Sequence, residues 1–347
     1  LSKALRHFLI MLSSKSLSMA RASSMGVTRF VGEQATVLRE AGAMWGDDDY
    51  DERLRLSALA FLKAVQLGTG GPVRLHDVSG FEFEGVRVPL MDPQRGIRKP
   101  RMLDAALSFR TVHAGRPDQR PYDDSPGPDG YLRYKWRGTD PDHPENRALR
   151  RAMGERRPLI WFQGVASGTY LPIFPVWLVH EEPTSQQFVV ALDTEQAQRW
   201  ATDGAIDPAL RRMYAERVTH DRLHQPLFRA RVLSAYGGRC AICHLGHFQL
   251  LDAAHIRSDA EGGEPIVPNG ISMCKIHHAA YDADIMGVDP NYRVHIRPDI
   301  LEEHDGPTLR YALQELANST ISTPTQPAAR PDRNLIAERF DRFRAAS

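Results

Sequence analysis

Cysteine is scarce in this 347-residue chain, with only Cys240, Cys243 and Cys274 present. An odd set of three builds no disulfide framework, so a reducing setting, the cytoplasm, is expected. An excess of charge of one sign is also lacking. Lysine and arginine number 44 against 43 aspartate and glutamate, a net charge of +1. That excludes a basic tail that coats nucleic acid, but not a local basic face, because net charge is silent on distribution. No stretch approaches the roughly 18 apolar residues of a membrane span, so no membrane partner is expected. Internal repeats are missing too. The hydrophobic fraction of 42% and the charged fraction of 25% lie near the globular average, which argues against long disorder. At roughly 100–200 residues per domain the chain has room for about two or three domains.

Residues 1–30 hold Lys3, Arg6, Lys15, Arg21 and Arg29, many serines and no acidic residue. That is the composition of a transit peptide. The favoured reading is instead a start site placed too early, with Met19 or Met25 as the true start, and residues 1–25 as a non-structural extension. Residues 26–74 are expected to be a helical segment. Leu54, Leu56, Leu59, Phe61, Leu62, Val65 and Leu67 give 51–67 a broad apolar face. Residues 68–72 stop that helix, and 81–88 alternate as a strand or short hairpin does. Helix plus hairpin fits a winged-helix-like element or the start of a mixed α+β domain, and the second is preferred.

Residues 75–195 read as a mainly-β mixed domain, barrel-like or a curved sheet. Strands are expected at 131–137, 159–165, 173–179 and 188–192, and a short helix at 146–153. Pro117, Pro121, Pro126, Pro128, Pro141 and Pro144 mark 115–146 as mostly loop. A helical connector follows over 196–224, and a clear helix over 225–236. Beyond 300 come a polar helix around 308–316 and a linker over 319–331. A last helix over 334–344 offers Leu335, Ile336, Phe340 and Phe343 as a docking face.

The chemistry concentrates in 236–296. Cys240-x-x-Cys243 and Cys274-x-x-His277 are two pairs at the spacing of a tetrahedral zinc site with three thiolates and one imidazole. The competing reading is three ordinary buried cysteines, but every cysteine of the chain falls on a pattern position. His244 and His247 could compete as ligands but sit in the wrong half of the pattern. Beside this set stand His255, Asn269, His278 and Asp282. Residues 250–256 read as a strand ending near His255, Asn269-Gly270 as a turn, and 274–282 as a helix. His278 and Asp282 are i and i+4 on that helix, share one face and can grip one divalent ion. His277 points about 100° away from His278, so these neighbours can serve two different metals.

Strand, turn and helix carrying His, Asn and His in order resemble the HNH endonucleases, which have the ββα-metal fold. The resemblance covers 225–297 and includes Cys-Ala-Ile-Cys (240–243), Ala-Ala-His-Ile (253–256), Asn-Gly-Ile-Ser-Met-Cys (269–274) and His-His-Ala-Ala-Tyr-Asp (277–282). It implies an α+β protein with a C-terminal nuclease domain over 225–300, followed by C-terminal helices and linker over 301–347. It also implies that His255 is the general base, that Asn269 orients that histidine or its loop, and that His278 and Asp282 hold a catalytic Mg²⁺ or another divalent ion. Cys240, Cys243, Cys274 and His277 would hold a structural Zn²⁺. In one respect the sequence departs from the family. Many members carry a metal ligand just before the general base, where this chain has Ala254. Asp252 is nearby but, three residues from His255 in a strand, is expected on the opposite face.

The stretches 129–140, 146–149 and 158–165 resemble the N-terminal part of bacterial HNH-type restriction endonucleases, and more distantly PUA/SRA-like domains that read modified bases. Alternation would put Arg133, Lys135 and Arg137 on one side of a strand and Tyr134 and Trp136 on the other, an arrangement suited to phosphate contact and base stacking. Arg95, Arg98, Lys99 and Arg101 form a second basic cluster. For Tyr134, Trp136, Trp161 and Phe162 core packing is the preferred reading. The expected function is metal-dependent cleavage of double-stranded DNA by a restriction enzyme, with modified bases a candidate target. The alternative is a zinc-stabilised DNA-binding protein with a degenerate nuclease centre, and a toxin-like nuclease ranks third. Double-strand cleavage by a one-site nuclease would favour a homodimer.

Overall fold

A computed structural model describes residues 50–113, 127–201 and 208–346. The expectations placed on 1–25, on Met19 and Met25, on the helical reading before residue 50, and on Pro117, Pro121 and Pro126 lie outside the described residues. Two compact units divide the chain, Leu1–Arg53 and Leu54–Ser347. The first turn of helix α1 (Tyr50–Thr69) falls in the first unit, and all the other described residues fall in the second.

Helix α1 buries Leu54, Ala58 and Leu62, an i, i+4, i+8 stripe. Arg55 on this helix is buried, and its guanidinium donates to the Pro158 carbonyl at 2.8 Å. After it come β1 (Val73–Arg74), α2 (Leu75–Val78) and the hairpin β2 (Glu82–Phe83) and β3 (Val86–Arg87). The main sheet uses β4 (Ile97–Arg98), β5 (Ser108–Thr111), β6 (Leu132–Lys135), β7 (Leu159–Ala166), β8 (Thr169–Glu182) and β9 (Gln187–Ala191). Its order is β4-β5-β7-β8-β9-β6, with β1 also on β8. The pairings are antiparallel except β5 with β7. Strand β8, 14 residues long, joins the halves, pairing with β7 through its first part and with β9 through its last. Strand β7 is buried along nearly its whole length, as its unbroken Leu-Ile-Trp-Phe start requires.

Helix α3 (Pro144–Gly154) begins with Pro144 in its first turn and buries Ala148, Leu149 and Ala152 against the sheet core. Helices α4 (Thr194–Ala201) and α5 (Pro208–Thr219) lead through a π-helical turn, His220–His224, into α6 (Gln225–Ala235). Helix α6 belongs to two cores. Leu227 and Ala230 pack into the sheet core, while Phe228, Val232 and Leu233 pack into a second core built from the C-terminal residues.

That second core is organised by β10 (Leu251–His255), β11 (Gly270–Cys274) and α7 (Lys275–Asp282). The strands pair antiparallel from Leu251 with Cys274 to His255 with Gly270. The residues of β11 themselves read only as a turn before a helix, and the second strand of the hairpin is implied by the family resemblance alone. All five of its residues are buried, so no alternation marks it as a strand. Gly270 admits the close approach of α6, because a Cβ there would lie 2.6 Å from Val232 Cγ2. A hairpin of β12 (Met286–Val288) and β13 (Val294–Ile296) follows, then α8 (Pro298–Glu302), α9 (Pro307–Ala312) and α10 (Arg333–Ala346). The helix expected over 308–316 ends at Ala312 and continues as a separate 3-10 turn, Gln314–Leu316. Ile321 and Ile336 lie in the same core as Val232, Ile271 and Met286. The architecture is α+β, with a mainly-β region before the C-terminal hairpin and helix. Among the described residues no helix is long and apolar enough to cross a membrane.

Candidate active site

Cys240 and Cys243 sit on a turn after α6, Cys274 ends β11, and His277 lies in the first turn of α7. The strand pairing of Leu251 with Cys274 brings the two halves together. Their ligand atoms all lie within 4.8 Å of one another. His277 Nδ1 is 3.3 Å from Cys240 Sγ and 3.2 Å from Cys274 Sγ, and Cys243 Sγ is 4.0 Å from Cys274 Sγ. His277 Nε2 faces the Ala312 carbonyl at 2.8 Å, so the proton belongs on Nε2 and the Nδ1 lone pair points at the sulfurs. A hydrogen bond from the Cys274 thiol lowers the Cys240 pKa and raises that of Cys274 itself, which burial raises further. Three thiolates cannot share so small a space without a cation, and a dication satisfies all four donors. The donor set therefore fits a tetrahedral metal. His244 is outside the cluster, its Nδ1 3.5 Å from Ser322 Oγ.

His255 closes β10. Its ring stacks on Phe228 of α6, with centroids 4.0 Å apart and planes at 18°. Burial lowers its pKa, and the Asp259 carboxylate partly offsets this. The imidazole is therefore neutral near pH 7, as a proton acceptor must be. Asn269 is fully buried at the end of a 3-10 turn, Val267–Asn269. Its Oδ1 accepts from the Arg257 amide at 2.9 Å, and its Nδ2 donates to the carbonyls of Arg257 at 3.0 Å and Glu264 at 2.9 Å. Asn269 thus clamps both ends of the loop that leaves His255. Gly263 makes the clamp possible, because a Cβ there would meet the Arg257 carbonyl oxygen at 2.0 Å and Asn269 Nδ2 at 2.8 Å.

His278 Nε2 lies 3.3 Å from Asp282 Oδ2, one helical turn on. Thus His277 turns into the cysteine cluster while His278 faces a carboxylate. Asp252 adds a neighbour to this pair that the sequence does not announce, its Oδ2 lying 3.8 Å from His278 Nδ1. Strand alternation bears on the relation of Asp252 to His255, not on its relation to a helix packed across the strand. Burial alone would raise the Asp252 carboxyl, but Lys275 at 3.0 Å, with Arg229 and His278, holds it below the usual range. Ala254 is buried and contributes no donor.

The residues expected to touch nucleic acid fare differently. Tyr134 and Trp136 are buried in the sheet core, Tyr134 against Phe109 at 4.5 Å and Trp136 near Phe188. Arg133 is buried as well, paired with Asp129 at 2.9 Å and Glu182 at 2.8 Å. Lys135 donates to Gln187 Oε1 at 2.6 Å and to the Ser185 carbonyl. Of the five, Arg137 is exposed. The basic and aromatic residues do take opposite sides of the strand, but Arg133 and Tyr134 are both buried, so neither side is open for phosphate contact or base stacking. In the second basic cluster, Arg98 and Lys99 donate to the carbonyls of Pro89 and Leu103.

Residues 240–289 match the family model of the HNH endonucleases. Among solved structures the chain is similar to a modification-dependent restriction endonuclease, TagI. The identity is 18%, 72% of this chain and 85% of that one are covered, and the TM-score is 0.26. It is also similar to the Type IV phosphorothioation-dependent restriction endonuclease ScoMcrA. There the identity is 16%, 53% of this chain and 51% of that one are covered, and the TM-score is 0.21. A comparison with curated proteins finds no match.

Proposed function

We propose that this chain is a divalent-metal-dependent DNA endonuclease of the restriction type, hydrolysing phosphodiester bonds of double-stranded DNA at His255. The observation that carries the reading is the divergence of His277 and His278. One imidazole completes a buried Cys₃His cluster while its neighbour pairs with Asp282. Core packing has no use for such a split, whereas a nuclease with one structural and one catalytic ion does.

Cys240, Cys243, Cys274 and His277 would hold Zn²⁺, which ties the turn after α6 to β11 and α7. His278 and Asp282 would hold Mg²⁺ or another divalent ion, a donor set of imidazole and carboxylate suited to it. When bound, that ion polarises the phosphate and offsets charge on the leaving oxygen. His255, held flat by Phe228, takes the proton from the attacking water. Asn269 keeps the loop beyond His255 in place through three hydrogen bonds. Region 75–195 would select the target, a modified base among the candidates, and paired cutting of both strands would use a homodimer.

A second reading, a zinc-stabilised DNA-binding protein with a degenerate centre, draws on the exposure of Asp282 (63%) and on Ala254 standing where the family often has a ligand. One assay separates the two. Purified protein is incubated with unmodified and cytosine-modified plasmid in Mg²⁺, Mn²⁺ or EDTA, beside His255→Ala. Metal-dependent cutting that falls ~100-fold or more in His255→Ala is expected. No cutting under any metal sinks the enzyme reading, and cutting that survives His255→Ala sinks the assigned base. Equal cutting of both plasmids removes modified-base selection and leaves the nuclease.

A further inference from the structure

The His255 ring presents two nitrogens, and one of them is sealed in. Its Nε2 is buried with no hydrogen-bond partner among the described residues. It faces Asp259 Oδ1 at 3.6 Å. The other oxygen of that carboxylate is already engaged. Asp259 Oδ2 lies 2.9 Å from His220 Nε2 and accepts from Gln225 Nε2 at 2.5 Å. His220 belongs to the π-helical turn and Gln225 to the first turn of α6, so two elements outside the hairpin aim this carboxylate. The segment carrying Asp259 is itself fixed. Ser258 caps the 3-10 turn Asp259–Glu261, Asn269 holds Arg257 and Glu264, and α10 reaches it through Arg342 on Glu261 at 3.1 Å and Arg257 on Glu338.

We infer that Asp259 is a positioning residue for His255: its carboxylate keeps the proton on the buried Nε2 and so leaves Nδ1 as the nitrogen that takes the proton from water. The inference rests on the reading of His255 as general base. At 3.6 Å the contact is one of charge rather than a hydrogen bond. Inside a partly buried site that charge is enough to order the two tautomers, because an N–H dipole aimed at a carboxylate is favoured over a lone pair aimed at it. The same charge stabilises the imidazolium after Nδ1 accepts the water proton, while the Nε2 proton stays where it was. The other ionisable groups acting on His255 are His278 and Asp282 of α7 and His220 of the π-helical turn. Of these, Asp282 favours the imidazolium and the two histidines oppose it. No short sequence pattern announces Asp259. It is four residues beyond His255, in a loop whose fold-back depends on Asn269 and Gly263.

The test uses the full chain and two readouts. Nitrogen-15 shifts of the His255 imidazole report the tautomer, and the pH dependence of plasmid cleavage reports the acidic limb set by His255. In the wild type the neutral ring is expected as the Nε2–H tautomer. Asp259→Asn, which keeps the side-chain shape, should lower the rate ~10-fold, less than loss of the base itself. It should also move the acidic limb to lower pH, because a charge that favours the imidazolium has gone. A wild-type ring protonated on Nδ1 overturns the inference. So does a rate loss in Asp259→Asn with the limb and tautomer unmoved, since a merely structural role would do that. If His255→Ala still cuts, the general-base reading fails, and the inference with it. If His255→Ala is dead while Asp259→Asn cuts with an unchanged profile, only the role of Asp259 is lost.

Discussion

The seven-stranded sheet and the hairpin–helix at the C-terminus use the same kinds of residue in opposite ways. In the sheet, Trp161 is fully buried with its Nε1 on Thr111 Oγ1 at 3.0 Å, Tyr134 packs on Phe109, and Arg133 is shared between Asp129 and Glu182. Long paired strands have the area to bury such groups and to satisfy most of their polar atoms, the buried Trp136 Nε1 being an exception. The hairpin of two five-residue strands and an eight-residue helix has no such area. Its stability draws on donors gathered around one point, on α6, and on C-terminal residues such as Ile321, Ile336 and Phe343. In return it leaves His255, His278 and Asp282 partly open. An aromatic or basic side chain is structural where the scaffold is large enough to absorb it, and available for chemistry where it is not.

Substitutions can break or sharpen that contrast. The largest effect is expected from Cys240→Ser. It removes one of four donors, so the protein should lose its bound metal, the hairpin–helix should become protease-sensitive, and cleavage should vanish while the sheet stays folded. Metal analysis and limited proteolysis read this out. Next is Trp161→Ala, which should cost ~3–5 kcal/mol in denaturant unfolding by emptying the centre of the sheet. A smaller loss, with weakened DNA binding instead, would make the sheet aromatics functional after all. Arg133→Ala leaves Asp129 and Glu182 facing each other without their cation. With both carboxylates partly open to solvent, a loss of ~1–3 kcal/mol is expected, and DNA affinity measured by fluorescence anisotropy should not change.

The smallest effect is one of pH. Burial would raise the Glu182 carboxyl, but Arg133 and Gln187 outweigh it and hold the group below its usual value of 4.5. A carboxyl depressed on folding stabilises the fold above the unfolded value, and that contribution is lost as pH falls through the lower folded value. Unfolding free energy should therefore drop less between pH 7 and pH 3 in Glu182→Gln than in the wild type, by under ~1 kcal/mol. An identical acid profile in the two proteins would remove Glu182 from the account.

Much of the site was legible because its pattern is local. Cys240 and Cys243, Cys274 and His277, and His278 and Asp282 are each separated by three or four residues, and chain geometry over one turn decides which atoms can meet. The strands at 159–165 and 173–179 announce themselves by unbroken apolar runs, and the helix around 51–67 by its stripe. Strand β11 was hidden because burial on both faces erases alternation. The strand at 131–137 misled for a related reason, since alternation separates two faces without saying that either is open.

The sequence by itself determined the donor residues, their pairing by spacing and the near-balance of charge, +1 overall. Only the tertiary structure decided that Asp252 reaches His278, that Asp259 is turned toward His255 by His220 and Gln225, and that Arg133, Tyr134 and Trp136 are spent on packing. Those outcomes depend on burial and on partners tens of residues away. Which side of a strand is covered, and by what, is settled when elements pack against one another, and no spacing along the chain records it.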